Sequence, residues 1–144
     1  MKILLVGSGG REHALAWKLL QSPNIEKVIC TPGNGGTATL PGCQNIPIPV
    51  VDFEGIVKVA QEYNVSLVVI GPELPLSLGI GDRLASVGID VFGPTQAGAQ
   101  IEASKSWAKD LMLEAGVGTS RGAKFTNPKA AQAYVTQQGV PIVV

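Results

Sequence analysis

The stretch Lys2–Leu20, KILLVGSGGREHALAWKLL, decides the fold class of this chain. Its apolar run Ile3–Val6 is typical of a buried strand, the glycines after it predict a tight turn, and an amphipathic helix follows. A junction of this kind points free backbone N–H groups, and the positive end of a helix dipole, at the space above the strand. We therefore expect the junction to bind an anionic group, most often a phosphate.

The glycines of this turn match neither of the common nucleotide-binding motifs. Counted from Gly7, the third glycine of G-x-G-x-x-G falls on Glu12, whose side chain blocks the close helix–strand approach that glycine permits. The predicted second strand, Val28–Cys30, runs into Thr31 without an acidic residue to hold an adenosine ribose. The chain also lacks a P-loop sequence, so both patterns argue against a nicotinamide-dependent oxidoreductase or a P-loop protein.

Three polar residues at the predicted helix start are candidates for ligand contact. The guanidinium of Arg11 suits a phosphate, the carboxylate of Glu12 suits sugar hydroxyls or an amine, and the imidazole of His13 suits either. His13 has a second interpretation as a residue that caps or braces the loop. The alternative for all three is a structural turn with solvated charges.

Composition predicts an ordinary cytoplasmic protein. The 144 residues suffice for a domain with a core, and 11 Lys and Arg balance 11 Asp and Glu, which argues against nucleic acid or a membrane surface as partner. No apolar run approaches the roughly 20 residues of a membrane span, and we expect no signal peptide. Cys30 and Cys43 are isolated, which predicts reduced thiols that serve packing.

Short apolar runs alternate with helical patterns along the chain. This alternation predicts an α/β fold, a Rossmann-like parallel sheet with flanking helices. Because crossovers are right-handed, the loops after the strands gather at one sheet edge, where ligands bind in open α/β folds. The predicted elements after the second strand are a helix over 53–63 with Asp52 as N-cap, a strand at 67–70, one helix over 76–87 and a strand at 89–92.

Four loops at that edge carry glycine or proline together with polar groups. Glycine lets backbone donors approach a ligand, and proline holds a loop in shape. Asn34 can recognise a hydroxyl or an amide, and Glu73 can accept from a ribose or an amine. The loops are Gly7–His13, Thr31–Gly36, Gly71–Pro75 and Gly93–Thr95.

Five separate motifs, in one order and spacing, resemble the phosphoribosylamine–glycine ligase family of the ATP-grasp superfamily. The segment Gly9–Ala14, GGREHA, is particularly specific, and the similarity runs the whole length of the chain. The motifs are GSGGREHALAWKL from Gly7, TPGNGGTA from Thr31, VVIGPELPLSLGIGDRL from Val68, VFGPT from Val91 and AQIEASKSWAKDLM from Ala99.

The resemblance implies an ATP-dependent ligation in de novo purine synthesis. ATP phosphorylates the carboxylate of glycine, and the amine of 5-phosphoribosylamine attacks the glycyl phosphate to give glycinamide ribonucleotide, ADP and phosphate. It implies Mg²⁺, with Mn²⁺ as an alternative, and no protein nucleophile. Catalysis then rests on positioning and electrostatic stabilisation. Small molecules are the expected partners of a monomer, with neither nucleic acid nor membrane.

The resemblance also assigns residues. Gly9, Gly10 and Arg11 are expected at the sugar phosphate, and Asn34 and Glu73 near the sugar or amine. Which of Glu12 and His13 touches the ligand stays open. Lys105 is expected at an ATP phosphate, and no catalytic residue or metal ligand is expected in this chain. The complete expected substrate set is Gly9, Gly10, Arg11, Glu12, His13, Pro32, Gly33, Asn34, Gly71, Pro72 and Glu73.

The resemblance implies that the second half of the chain belongs to a different domain of such an enzyme. Residues 1–103 are expected to form the substrate-binding domain that precedes ATP-grasp, and 104–144 the beginning of the ATP-grasp domain. Here the sequence predicts a helix capped by Ser104, a strand Ala123–Phe125, a helix from Asn127-Pro128 and a buried strand at Val140–Val144.

Because a strand at the last residue has no turn to finish it, we expect a fragment. The family resemblance implies that a second ATP-contacting lysine and the acidic metal ligands lie beyond Val144, so the fragment is expected to be inactive by itself. The alternative is a stand-alone sugar-phosphate-binding module without catalysis.

Overall fold

The computed structural model describes residues 1–143, which form two compact units, Met1–Ala103 and a second unit that begins at Ser104. Across the described residues, no helix is both long enough and apolar enough to cross a bilayer. The elements of the first unit are β1 (Lys2–Gly7), α1 (Gly10–Leu19), β2 (Lys27–Pro32), α2 (Gly35–Thr39), β3 (Cys43–Asn45), α3 (Phe53–Glu62), β4 (Leu67–Ile70), α4 (Glu73–Ser77), α5 (Ile80–Ser86), β5 (Val91–Phe92) and α6 (Gln96–Ala103).

The five strands form one parallel sheet in the order β3-β2-β1-β4-β5. β1 lies at the centre, with Leu5 opposite Cys30 of β2 and Val69 of β4. The chain moves to one side of β1 through β2 and β3 and to the other through β4 and β5. This reversal opens a crevice between the loops that follow β1 and β4. The predicted α/β class with a Rossmann-like parallel sheet is confirmed.

The central strand is buried on both faces, which is why it reads as a continuous apolar run. Leu4 and Val6 pack into one cluster with α3 and α5, whereas Ile3 and Leu5 pack into a second cluster with Ala16 of α1. Alternate residues of a strand point to opposite faces, so one short run supplies both halves of the core. The predicted N-cap is also confirmed, since the Asp52 side chain accepts a hydrogen bond from the Gly55 N–H.

The single helix predicted over 76–87 is wrong. The structure has α4 and α5, separated by Gly79 with φ of 97°, a left-handed conformation that ends one helix before the next begins. Leu76, Ile80 and Leu84 are nevertheless buried as their spacing indicates. The structure also adds α2 and β3, which the sequence did not predict, and begins β5 at Val91 rather than Ile89.

The second unit contains α7 (Lys105–Glu114) and α8 (Pro128–Gln138). The predicted Ser104 cap is confirmed, because its side chain accepts from the Trp107 N–H. The predicted helix start at Asn127-Pro128 is also confirmed, and the structure shows that Asn127 accepts from the Lys129 N–H as its N-cap. The predicted strand Ala123–Phe125 is wrong, and Val140–Val143 is not a strand either; Val144 lies outside the described residues. Residues 104–143 contain no strand with which either apolar segment could pair, and Val143 is 96% exposed.

The free thiol of Cys30 provides a first test of the packing. Burial, followed by the neighbouring Cys43 thiol, raises its pKa to about 12. At pH 8 only about one molecule in ten thousand then carries the reactive thiolate. In a Cys43→Ser variant, we expect Cys30 to react with a disulfide reagent orders of magnitude more slowly in the folded chain than in urea. Equal rates in the two states would contradict the packing.

The same pKa shift has a consequence for stability. Because the folded value lies above the ordinary value of 9.0, the Cys30 thiol favours the folded state below pH 9. That contribution is lost as the pH rises from 9 toward about 12.

Candidate functional site

A cleft of about 330 Å³ lies at the carboxyl end of β1 and β4. Its position is the crevice where the strand order reverses, the usual ligand site of an open parallel sheet. The lining comes from three loops, and its members are Gly7, Ser8, Gly9, Gly10, Arg11, Glu12, Val50, Pro72 and Glu73.

The amino end of α1 supplies backbone donors to this cleft. The first bond of the helix runs from the His13 N–H to the Gly9 carbonyl, at 3.3 Å. Within residues 1–143, the N–H groups of Gly10 and Arg11 have no protein acceptor. Free donors at a helix end that carries partial positive charge favour an anion in front of them.

Arg11 joins the two strand-end loops that flank the cleft. Its Nη1 donates a hydrogen bond to the Gly71 carbonyl at 2.6 Å, and the side chain is otherwise exposed. The other guanidinium N–H groups have no acceptor in the described part of the chain. The Nη1 group therefore holds the guanidinium at the cleft, while the other guanidinium N–H groups stay available to a ligand.

Glu12 is buried beneath the same loops rather than directed at solvent. It is 4% exposed, and its Oε2 accepts a hydrogen bond from the Gly9 N–H at 2.6 Å. Its carboxyl group fills the space beside Gly71, where an added Cβ would stand 2.0 Å from Oε1. The residue that breaks the dinucleotide motif thus caps the helix and packs between two strand ends.

Both the nitrogen and the oxygen of the Asn34 side-chain amide make hydrogen bonds within the protein. Its Nδ2 donates to the carbonyl oxygens of Ser8 at 3.1 Å and Gly9 at 2.8 Å. Its Oδ1 accepts from the Thr37 N–H at 2.9 Å and so caps α2. Asn34 is not among the residues that line the cleft, and both of its donors are used.

The other predicted residues behind the cleft also support loops. The His13 ring lies against Gly36, where a Cβ would meet Nδ1 at 2.5 Å. Gly33 has φ of 73° and donates its N–H to the Gly7 carbonyl at 3.2 Å, and Pro32 is the last residue of β2. The structure therefore brings Gly9, Gly10, Arg11, Glu12, Pro72 and Glu73 to the cleft, and places His13, Pro32, Gly33, Asn34 and Gly71 around it.

Comparison with known proteins identifies the family of this chain. The family model described as phosphoribosylglycinamide synthetase, N domain, matches residues 1–102. The chain belongs to the phosphoribosylglycinamide synthetase N-domain family. Over all its 144 residues it is 63% identical to the phosphoribosylamine–glycine ligase of a Nostoc species, and 56% identical to that of a Synechocystis species. It spans 34% of the length of each relative.

Solved structures share the fold of this N-domain family member. The biotin carboxylase domain of the Hydrogenobacter thermophilus 2-oxoglutarate carboxylase superposes with a TM-score of 0.70. Their sequences are 18% identical, and the match covers 97% of this chain and 33% of that one. At this identity the likeness concerns the fold alone.

In this N-domain family member, one of the four predicted loops lies outside the cleft, and two polar residues behind the cleft were not predicted. The loop of Gly93 and Thr95 follows the carboxyl end of β5, at the sheet edge where it was expected, but it lines a separate cavity of about 310 Å³ rather than the cleft. Thr37 and Asn45 were not predicted at all. Thr37 is fully buried, its Oγ1 lies 2.8 Å from Asn45 Oδ1, and Asn45 Nδ2 donates to the Asn34 carbonyl at 2.9 Å. A polar residue three positions after an N-cap is the signal that indicates Thr37.

The nucleotide candidate Lys105 lies in the second unit. It is the first residue of α7 and is exposed, directly after the Ser104 N-cap. An exposed ammonium at a helix amino end fits a phosphate partner, but one side chain does not make a nucleotide site. Among the described residues, no three His, Cys, Asp or Glu side chains come together as metal ligands.

Proposed function

We propose that this chain is the sugar-phosphate-binding part of a phosphoribosylamine–glycine ligase, followed by the beginning of its ATP-grasp domain. The observation that carries the proposal is the cleft in front of α1, where the backbone N–H groups of Gly10 and Arg11 and the remaining guanidinium N–H groups of Arg11 are available to an anion. The names of the relatives that match the whole chain support it.

In this proposal some of the predicted residues contact the substrate, and the others hold the loops of the cleft in place. Gly9, Gly10 and Arg11 surround the phosphate of 5-phosphoribosylamine, and Pro72 and Glu73 lie beside its ribose and amine. A carboxylate at Glu73 accepts hydrogen bonds from such groups without competing for the phosphate. The remaining predicted residues hold the loops in place: Glu12, His13, Pro32, Gly33, Asn34 and Gly71.

The proposed reaction has two steps. The glycine carboxylate takes the terminal phosphoryl group of ATP, which leaves ADP, and the amine of 5-phosphoribosylamine then displaces phosphate from the glycyl phosphate as it loses a proton. ATP supplies the phosphoryl group, and Mg²⁺ or Mn²⁺ would neutralise the negative charge of the phosphates. This chain's part is to bind the sugar phosphate and orient its amine, with Lys105 directed to an ATP phosphate. We propose that the enzyme is a cytoplasmic monomer.

A second candidate function is a sugar-phosphate-binding module without catalysis. It is favoured by the fact that every residue that lines the cleft belongs to the first unit. Both functions require the same phosphate site, so a binding experiment tests what they share.

Removal of the Arg11 side chain tests the phosphate site. We expect ribose 5-phosphate to bind the chain weakly and NAD not at all, and Arg11→Ala to weaken ribose 5-phosphate by roughly 1.5–3 kcal/mol through loss of a charge-assisted contact. Titration calorimetry or amide chemical shifts measure this. Lys18→Ala removes the same charge from the other end of α1 and should leave affinity within a factor of two. Equal affinity in Arg11→Ala would remove Arg11 from the site.

A further inference from the structure

The peptide unit between Ser8 and Gly9 is held at both of its edges. Its carbonyl oxygen accepts from Asn34 Nδ2 at 3.1 Å, and its N–H donates to Glu12 Oε2 at 2.6 Å. The two partners approach from opposite sides, because the carbonyl and the N–H of a trans peptide point in opposite directions. Within residues 1–143 the only cis peptide bonds precede Pro32 and Pro141, so this unit is trans.

The next peptide unit is oriented by the same side chain. The Gly9 carbonyl accepts from Asn34 Nδ2 at 2.8 Å, in addition to the first helical bond from His13. With that carbonyl drawn toward Asn34, the Gly10 N–H of the same peptide plane points the other way. Gly10 lines the cleft and Asn34 does not, so the free donor lies on the ligand's side and the amide behind it.

Asn34 is itself fixed from three directions. Thr37 N–H donates to its Oδ1, Asn45 Nδ2 donates to its carbonyl, and its own N–H donates to Thr37 Oγ1 at 2.8 Å. Thr37 is fully buried and belongs to α2, whereas Asn45 belongs to β3. The orientation of the loop after β1 is therefore set by residues that are 25 or more positions away in the chain.

We propose that Asn34 is a positioning residue, which holds the carbonyls of Ser8 and Gly9 so that the Gly10 N–H faces the phosphate in the cleft. The inference rests on the proposed sugar-phosphate function, and it replaces direct substrate contact as the role of Asn34.

The test compares Asn34→Ser with Asn34→Ala in the full 144-residue chain. Serine keeps the cap of α2 and the net charge, but its one hydroxyl on a shorter side chain cannot replace the amide that donates to both carbonyls, whereas alanine loses the cap as well. We expect both variants to bind ribose 5-phosphate about tenfold more weakly than the parent chain. We also expect the amide signals of Gly9 and Gly10 to shift in both variants before any ligand is added, while the signals of β1 and β4 stay in place.

The outcomes separate positioning from capping and from the function itself. If Asn34→Ser binds like the parent chain and its Gly9 and Gly10 signals are unchanged, the side chain only caps α2 and the inference is wrong. If the parent chain does not bind ribose 5-phosphate or inorganic phosphate, the proposed function fails. The ligand-free Gly9 and Gly10 signals would still decide whether Asn34 orients the loop.

Discussion

Replacing Gly71 with alanine is expected to lower the free energy of unfolding by about 3 kcal/mol and to disrupt the cleft. The new Cβ would stand 2.0 Å from Glu12 Oε1 and 2.7 Å from its Cδ. The Glu12 carboxylate cannot swing aside freely, because its other oxygen holds the Gly9 N–H and the side chain is buried. Urea unfolding followed by circular dichroism measures the loss.

A double-mutant cycle identifies the cause of that loss. Glu12→Ala removes both the hydrogen bond to the Gly9 N–H and the carboxyl group that the new Cβ would meet. The Gly71→Ala/Glu12→Ala double variant should therefore lose clearly less free energy of unfolding than the sum of the two single variants. Gly35→Ala is the matched control, since a Cβ at Gly35 meets nothing within 4 Å. If the loss in free energy of unfolding in the double variant equals the sum of the two single losses, the clash with Glu12 is not the reason why position 71 requires glycine.

The second large effect is expected at Leu4, in the middle of the central strand. Leu4 is fully buried and packs with Ile29 and Ile56. Leu4→Ala should lower the free energy of unfolding by about 3–5 kcal/mol, because the lost burial adds to the cavity left in a close-packed core. That is a large part of the stability of a typical domain.

Leu78→Ala provides the comparison for Leu4→Ala in the same urea experiment. Leu78 has the same side chain but is 51% exposed, so its removal should cost less than about 1 kcal/mol. Similar losses at the two positions would contradict the sheet-centred core.

The central strands β1, β2 and β4 and the position of the cleft were predictable from sequence, because they depend on local pattern. The apolar run Ile3–Val6 indicates a strand buried on both faces whatever its partner strands are, and the glycines after it indicate a tight turn that leads into a helix. The break at Gly79 was not predictable from periodicity, because Leu76, Ile80 and Leu84 keep a helical spacing across it. Only the backbone conformation of Gly79 separates α4 from α5.

The roles of the polar site residues were harder to predict than their location. Residue type indicates what Glu12 and Asn34 can bond to, but the direction of each side chain depends on distant partners. Glu12 curls back to Gly9, and Asn34 is oriented by Thr37 and Asn45. The prediction of a strand at Ala123–Phe125 was wrong for a related reason, since a strand requires a partner strand that residues 104–143 do not contain.

The hydrogen bonds that frame the cleft have a consequence for how the first unit unfolds. Asn34 and Gly9 are 25 residues apart and Arg11 and Gly71 are 60 apart, so the cleft exists only once the central strands have paired. If the proposed function is correct, a sugar phosphate would bind the folded chain alone and would stabilise it by mass action, by about 2.7 kcal/mol at one hundred times its dissociation constant. The melting temperature of the whole sheet should therefore rise with ligand concentration.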